Sequence, residues 1–136
     1  MKIYEKEFSV RTTKRTEFVN ITDKIEEIVE ESEISNGICY IFVPHTTAAV
    51  TINEDADPDV VADINTKLNN LIPKNESYYN HMEGNSDAHI KSSIIGVSLE
   101  VFVNNKKLKL GTWQGIYFCE FDGPRHRNVW VKVLGE

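Results

Sequence analysis

Four histidines stand in this 136-residue chain, and three occupy settings where an imidazole is available for chemistry. His45 follows Pro44 directly after the most apolar run of the chain, residues 38–43. His81 and His89 bracket the polar stretch MEGNSDA, where Gly84 and the small residues Ser86 and Ala88 permit tight folding. Imidazoles brought together from a strand end and one loop suit a tetrahedral or expanded metal site with an open position, and zinc takes nitrogen ligands readily. A harder ion such as magnesium would draw instead on Asp55, Asp57 or Glu83. The separation of His81 from His89 is too long for a helical i, i+4 ligand pair. Spacing therefore leaves open a polar loop whose histidines bond to backbone and water.

Three further features carry possible chemistry. The segment after Asp87 reads as a short helix with Lys91 one turn in, a possible phosphate seat, since helix N-terminal amides favour anions. The alternative is a plain capped surface helix. Gly111-Thr112-Trp113-Gln114-Gly115 is an unusual hairpin link. Trp113 could wall a ring pocket and Gln114 read its polar edge, or the segment could be a bulge with Trp113 packed on the core. The segment from Asn53 to Asp57 offers polar contacts and acids. Asp57 or Glu83 could serve as a base, although helix capping competes for Asp57.

These residues need elements to position them. Residues 2–11 and 17–20 read as strands, and residues 23–33 as a helix capped by Thr22 or Asp23, with Ile25, Ile28 and Val29 at helical spacing. Residues 38–43 read as a strand buried on both faces, and 46–52 as a strand or a loop leading into one. Asp57-Pro58 starts a second helix that Pro73 closes. Residues 87–95 form the third, capped by Asp87. Strands at 97–103, 107–110, 115–121 and 128–134 follow as an antiparallel run of four, with Asn104-Asn105 as a tight hairpin turn. No βαβ repetition appears, so the expected fold is one α+β domain over residues 1–136, with a mostly antiparallel sheet and about three helices.

Composition excludes several classes. The net charge is −6, and no basic run offers a phosphate-backbone track, so nucleic acid and anionic membranes are not expected partners. Cys39 and Cys119 lie in apolar, strand-like runs and read as buried free thiols of a reducing, cytoplasmic setting. The N-terminus has no apolar signal region, and no run approaches the ~20 apolar residues of a membrane span. Nucleotide-loop, zinc-protease and nucleophile-elbow motifs are missing.

Several strings resemble the YjbQ-like family: Pro44-His45-Thr46-Thr47-Ala48-Ala49, Thr51-Ile52-Asn53-Glu54, Ala56-Asp57-Pro58-Asp59, Ala88-His89-Ile90-Lys91 and Leu110-Gly111-Thr112-Trp113-Gln114-Gly115-Ile116-Tyr117. The resemblance spans nearly the whole chain. It implies a homotrimer with a polar, histidine-containing, metal-binding site near subunit contacts, and thiamine-phosphate synthase activity on phosphorylated small molecules. It places His45, His81 and His89 at the family's histidine positions, and as a divalent-metal site three imidazoles would take zinc ahead of magnesium. Asn53, Trp113 and Gln114 then bind substrate, and Asp57, Glu83 and Lys91 take catalytic parts. A trimeric metal or metabolite binder without turnover, or a metal-dependent hydrolase, are the alternatives.

Overall fold

The computed structural model describes residues 1–136. Eight strands and three helices follow in the order β1 (Lys2–Arg11), β2 (Glu17–Asn20), α1 (Thr22–Ser32), β3 (Asn36–Phe42), β4 (Ala48–Glu54), α2 (Pro58–Leu71), α3 (Ser86–Ile95), β5 (Ser98–Asn104), β6 (Lys107–Leu108), β7 (Gln114–Glu120) and β8 (His126–Gly135). They form two sheets, one of five strands in the order β1-β8-β3-β5-β6 and one of three in the order β2-β7-β4. Every pairing is antiparallel.

Alternation fixes the larger sheet. Along β8, Arg127, Val129, Val131 and Val133 are buried while His126, Asn128, Trp130 and Lys132 face out. Register carries that parity to β1 and β3, where Phe8 faces Val129 and Ile41 faces Val131. The inward side chains join Val50, Ile116 and Phe118 of the smaller sheet, and Ile25, Ile28 and Val29 of α1, in one core. The other face of the smaller sheet, with Ala49, Cys119 and Phe121, is covered by Ala88 of α3 and partly buried Leu68 of α2. Strand β7 is thus buried on both sides from Gly115 onward. Cys39 and Cys119 are buried and free, and burial pushes the Cys39 thiol up to about 12 and raises that of Cys119 as well.

Close backbone approach demands glycine where β3 meets β8. Gly37 pairs with Gly135, and a Cβ on Gly37 would lie 1.9 Å from the Leu134 carbonyl oxygen.

Several local expectations need correcting. The last four strands are no meander. β7 leaves for the smaller sheet, and β8 inserts between β1 and β3. A strand with apolar residues on both faces must lie between two covered faces, which an edge position beside β6 would not give. The β5–β6 turn uses Asn105 and Lys106, both at positive φ, one residue later than expected. Helix α1 has no side-chain N-cap; the Asn20 side-chain oxygen accepts from the Thr22 amide at 3.0 Å. Helix α3 starts one residue early, and Asp87 turns inward instead of capping it. Asp57 does cap α2, accepting from the Asp59 amide at 2.9 Å. No helix is long and apolar enough to cross a membrane.

Candidate functional site

Strand β3 ends at Phe42, and the chain passes through Val43, Pro44 and His45 to enter β4 at Ala48. The start of α3 and the β7–β8 turn close around this crossing. The result is an open cleft of about 1130 Å³ whose lining includes His45, His81, Glu83, His89 and Arg125. Two stretches far apart in sequence thus bring the three expected histidines to one place, and the β7–β8 turn adds Asp122 and Arg125.

The groups across the cleft are linked. The His81 and His89 rings meet edge to face, with centroids 5.3 Å apart. Nε2 of His81 lies 4.0 Å from Oε1 of Glu83. Asn85 donates from Nδ2 to Oε2 of Glu83 at 3.2 Å and to Oδ2 of Asp122 at 2.7 Å. Asp122 accepts in turn from Nη2 of Arg125 at 3.0 Å. Burial alone would raise the Asp122 carboxyl, but these bonds hold it below the usual carboxylate range.

Beneath the cleft sits a buried ion pair. Arg127 donates from Nε to Oε1 of Glu120 at 2.8 Å, from Nη2 to Oε2 of Glu120, and from Nη2 to Oγ1 of Thr47 at 2.9 Å. Thr12 and the Asp122 amide also donate to Glu120. Burial would raise the Glu120 carboxyl; Arg127 and the other donors outweigh it and hold it low. The pair ties the His45 loop to the β7–β8 turn. It was missed in the sequence because a charged strand residue normally points to solvent. The available signal was parity: Arg127 shares its face with Val129, Val131 and Val133.

His45 is anchored differently from a free ligand. The Asn128 amide donates to its Nε2 at 2.9 Å. A neutral imidazole that accepts at Nε2 carries its proton on Nδ1. Burial first, and the nearby Arg127 charge second, lower its affinity for another proton. A three-histidine zinc site does not fit this arrangement, because one of its imidazoles already spends its free nitrogen lone pair on the backbone. Nor do any three His, Cys, Asp or Glu side chains stand together as an ion-holding group.

The remaining expected residues lie elsewhere. Lys91 is fully buried, donating to Oδ2 of Asp87 at 3.1 Å and to Oδ1 of Asn69 at 2.7 Å over the Phe121 ring. Arg15 grips the same Asp87 with two bonds of 3.0 and 2.9 Å. Lys91 is therefore a structural cation tying α3 to α2, and no seat for phosphate. Asp57 is occupied as the cap of α2. Asn53, Trp113 and Gln114 are exposed at the far end of β4 and β7. At roughly 3.3 Å per residue, Ala48 and Glu54 are about 20 Å apart along β4. Gln114 accepts from the Gly111 amide at 2.8 Å, which fixes the turn that presents Trp113.

The fold and site define a class: a two-sheet α+β domain with a polar, histidine-lined cleft at one end. The family model for UPF0047 protein YjbQ-like matches residues 6–136, and the chain belongs to that family. It is 53% identical over 129 residues to the UPF0047 protein MJ1081 of Methanocaldococcus jannaschii, covering 95% of this chain and 93% of that protein. It is 49% identical over 130 residues to the UPF0047 protein YugU of Bacillus subtilis, covering 96% and 98%. Among solved structures, a YbjQ-like protein of unknown function from Sulfolobus solfataricus superposes with a TM-score of 0.94 at 41% identity, covering 99% of both chains. An uncharacterized conserved protein of the same family from Clostridium acetobutylicum gives 0.92 at 52% identity, covering 94% and 98%.

Proposed function

We propose that this protein is a small-molecule enzyme whose histidine cleft takes a phosphorylated substrate. The observation that carries the reading is the convergence of His45, His81 and His89 with Arg125 and Glu83 on one open cleft. His81 and His89 are the acid–base candidates. Neither forms a hydrogen bond through its ring nitrogens, and Glu83 is placed to orient His81 or to act as a base itself. Arg125 keeps guanidinium N–H groups free beyond those it gives Asp122 and supplies positive charge at the rim.

The specific reaction proposed is thiamine-phosphate synthesis, in which a thiazole phosphate displaces pyrophosphate from a pyrimidine pyrophosphate. A divalent ion held by all three histidines would require His45 to release Asn128, so the reading rests on the protein's own groups. A cytoplasmic location fits the two free, buried thiols.

We also propose a homotrimer. The outer face of the larger sheet exposes Ile3, Tyr40, Phe42, Phe102 and Trp130, an apolar surface of the kind that assembly covers. Phe42 borders both this face and the cleft, so a neighbour packed here would abut the site. Such a neighbour is the route by which Asn53, Trp113 and Gln114 reach a cleft, since their own chain holds them away.

A binder without turnover is the second reading. It is favoured by the pairing of the cleft's buried charges, Arg127 with Glu120, which leaves no activated nucleophile. The test uses the purified protein with the two precursors. Product formation supports the enzyme, whereas a thermal shift with phosphate ligands and unchanged substrate supports the binder. Neither response would remove both.

A further inference from the structure

We infer that His45 is a fixed-tautomer hydrogen-bond donor, and that its Nδ1–H heads an oxyanion subsite on the Arg125 side of the cleft. The inference rests on the reading of the cleft as a phosphate-ligand site, and it names the group that receives the anion.

Geometry decides the tautomer. The Asn128 backbone can only donate, and it donates to Nε2 of His45 at 2.9 Å. The proton of a neutral ring must then sit on Nδ1. His45 lines the cleft, and its only hydrogen bond within the chain is the one at Nε2. Its Nδ1 is also absent from the buried polar atoms left without partners, so that N–H meets solvent or ligand. Register explains why the anchor holds: Asn128 is part of β8, which is clamped between β1 and β3.

The surroundings select an oxyanion. Burial first, and the nearby Arg127 and Arg125 charges after it, disfavour a second proton on the His45 ring, so the ring there is neutral with a single N–H. Arg127 spends its Nε and Nη2 groups on Glu120 and Thr47, while its Nη1 makes no hydrogen bond within the chain. Arg125 is half exposed and spends its Nε and one Nη2 proton on Asp122, leaving donors for a ligand. Formal charges lining the cleft cancel, with Glu83 and Asp122 opposing Arg125 and Arg127. An anion is therefore held by directed N–H groups rather than by excess charge, as in a neutral oxyanion-binding site.

Two isosteric variants separate this role from metal ligation. In His45→Gln the amide oxygen reaches the place of Nε2 and keeps the Asn128 bond, but the Nδ1 donor is lost. In His45→Asn the amide nitrogen occupies the place of Nδ1 and restores the donor. Nitrogen-15 NMR of the full chain at pH 7.5 should show His45 protonated at Nδ1 and bare at Nε2. Inorganic phosphate should shift the Nδ1–H resonance. Phosphate affinity should fall about 10-fold or more in His45→Gln and stay within about 3-fold of wild type in His45→Asn. A proton on Nε2 would overturn the inference, as would stoichiometric zinc stripping Nδ1 of its proton. Phosphate that shifts His81 and His89 but not His45 would overturn it while leaving the functional reading intact. Phosphate that shifts none of the three would overturn both.

Discussion

Phe42 and Trp130 stack across adjacent strands β3 and β8, with ring centroids 5.7 Å apart and planes 20° apart, on a sheet face that nothing in the chain covers. Trp130 is 50% exposed and Phe102 on the same face is 60% exposed. Fully burying a large apolar side chain contributes about 1.5–3 kcal/mol, of which roughly half remains to be gained at each of these half-exposed positions, so several on one face favour self-association. Sedimentation at micromolar concentration should give a trimer. Trp130→Lys with Phe102→Lys should shift it to monomer without unfolding it. A monomeric wild-type protein would refute the assembly and leave Trp113 remote from any cleft.

The buried cluster of Asp87, Lys91 and Arg15 predicts an asymmetric pair of stability effects. Asp87→Ala leaves Lys91 buried without a counter-charge and should cost about 3–5 kcal/mol. Lys91→Met keeps the apolar stem and leaves Asp87 with Arg15, so it should cost distinctly less. Urea denaturation measures both. A Lys91→Met protein with normal stability and lost phosphate binding would return Lys91 to the site.

Acid should unfold this protein through named carboxyls. Burial would raise Asp87 and Glu120, but their cationic partners hold both below ordinary values. The unfolded chain then takes up protons more readily as pH falls. Their contribution is complete above the unfolded carboxyl values of about 4 and is lost progressively below them. Denaturation midpoints between pH 3 and pH 7 should be flat at the upper end and fall steeply under about pH 4.5. A midpoint unchanged down to pH 3 would contradict the burial of these pairs.

Much of the architecture was legible because periodicity reports burial. Alternation in residues 128–134 marked β8, and Asp57-Pro58 marked α2. The sheet to which β7 belongs was not legible, since a run apolar on both faces says only that both are covered. The histidine cluster was legible as a set of residue types, but its wiring was not. A backbone donor such as the Asn128 amide carries no sequence signal, so the anchoring of His45 had to be seen. Lys91 misled for a related reason. Its spacing from Asp87 fits either a solvent-facing helix turn or a buried pair, and only the positions of Arg15 and Asn69, distant in sequence, decide between them.

Disrupting the Glu120–Arg127 pair should damage the site through its frame. Arg127→Met leaves Glu120 uncompensated and should cost about 3–5 kcal/mol. Glu120→Gln with Arg127→Met removes both charges and should recover part of that loss, because replacing a buried pair by apolar or neutral groups is often near neutral. Chemical denaturation of the two single variants and the double variant gives the coupling. Purely additive losses would show that the pair does not act as a unit.

The most direct test of the histidine cleft as the reacting site is turnover by the purified protein on the pyrimidine pyrophosphate and thiazole phosphate precursors. His81→Ala and His89→Ala would be compared with Asp57→Ala, which lies outside the cleft. Positioned acid–base groups contribute about 10²–10⁴-fold. Wild type should form thiamine phosphate, both histidine variants should lose at least about 100-fold, and folded Asp57→Ala should keep a near-normal rate. Wild-type rates in His81→Ala and His89→Ala would contradict that role for the cleft.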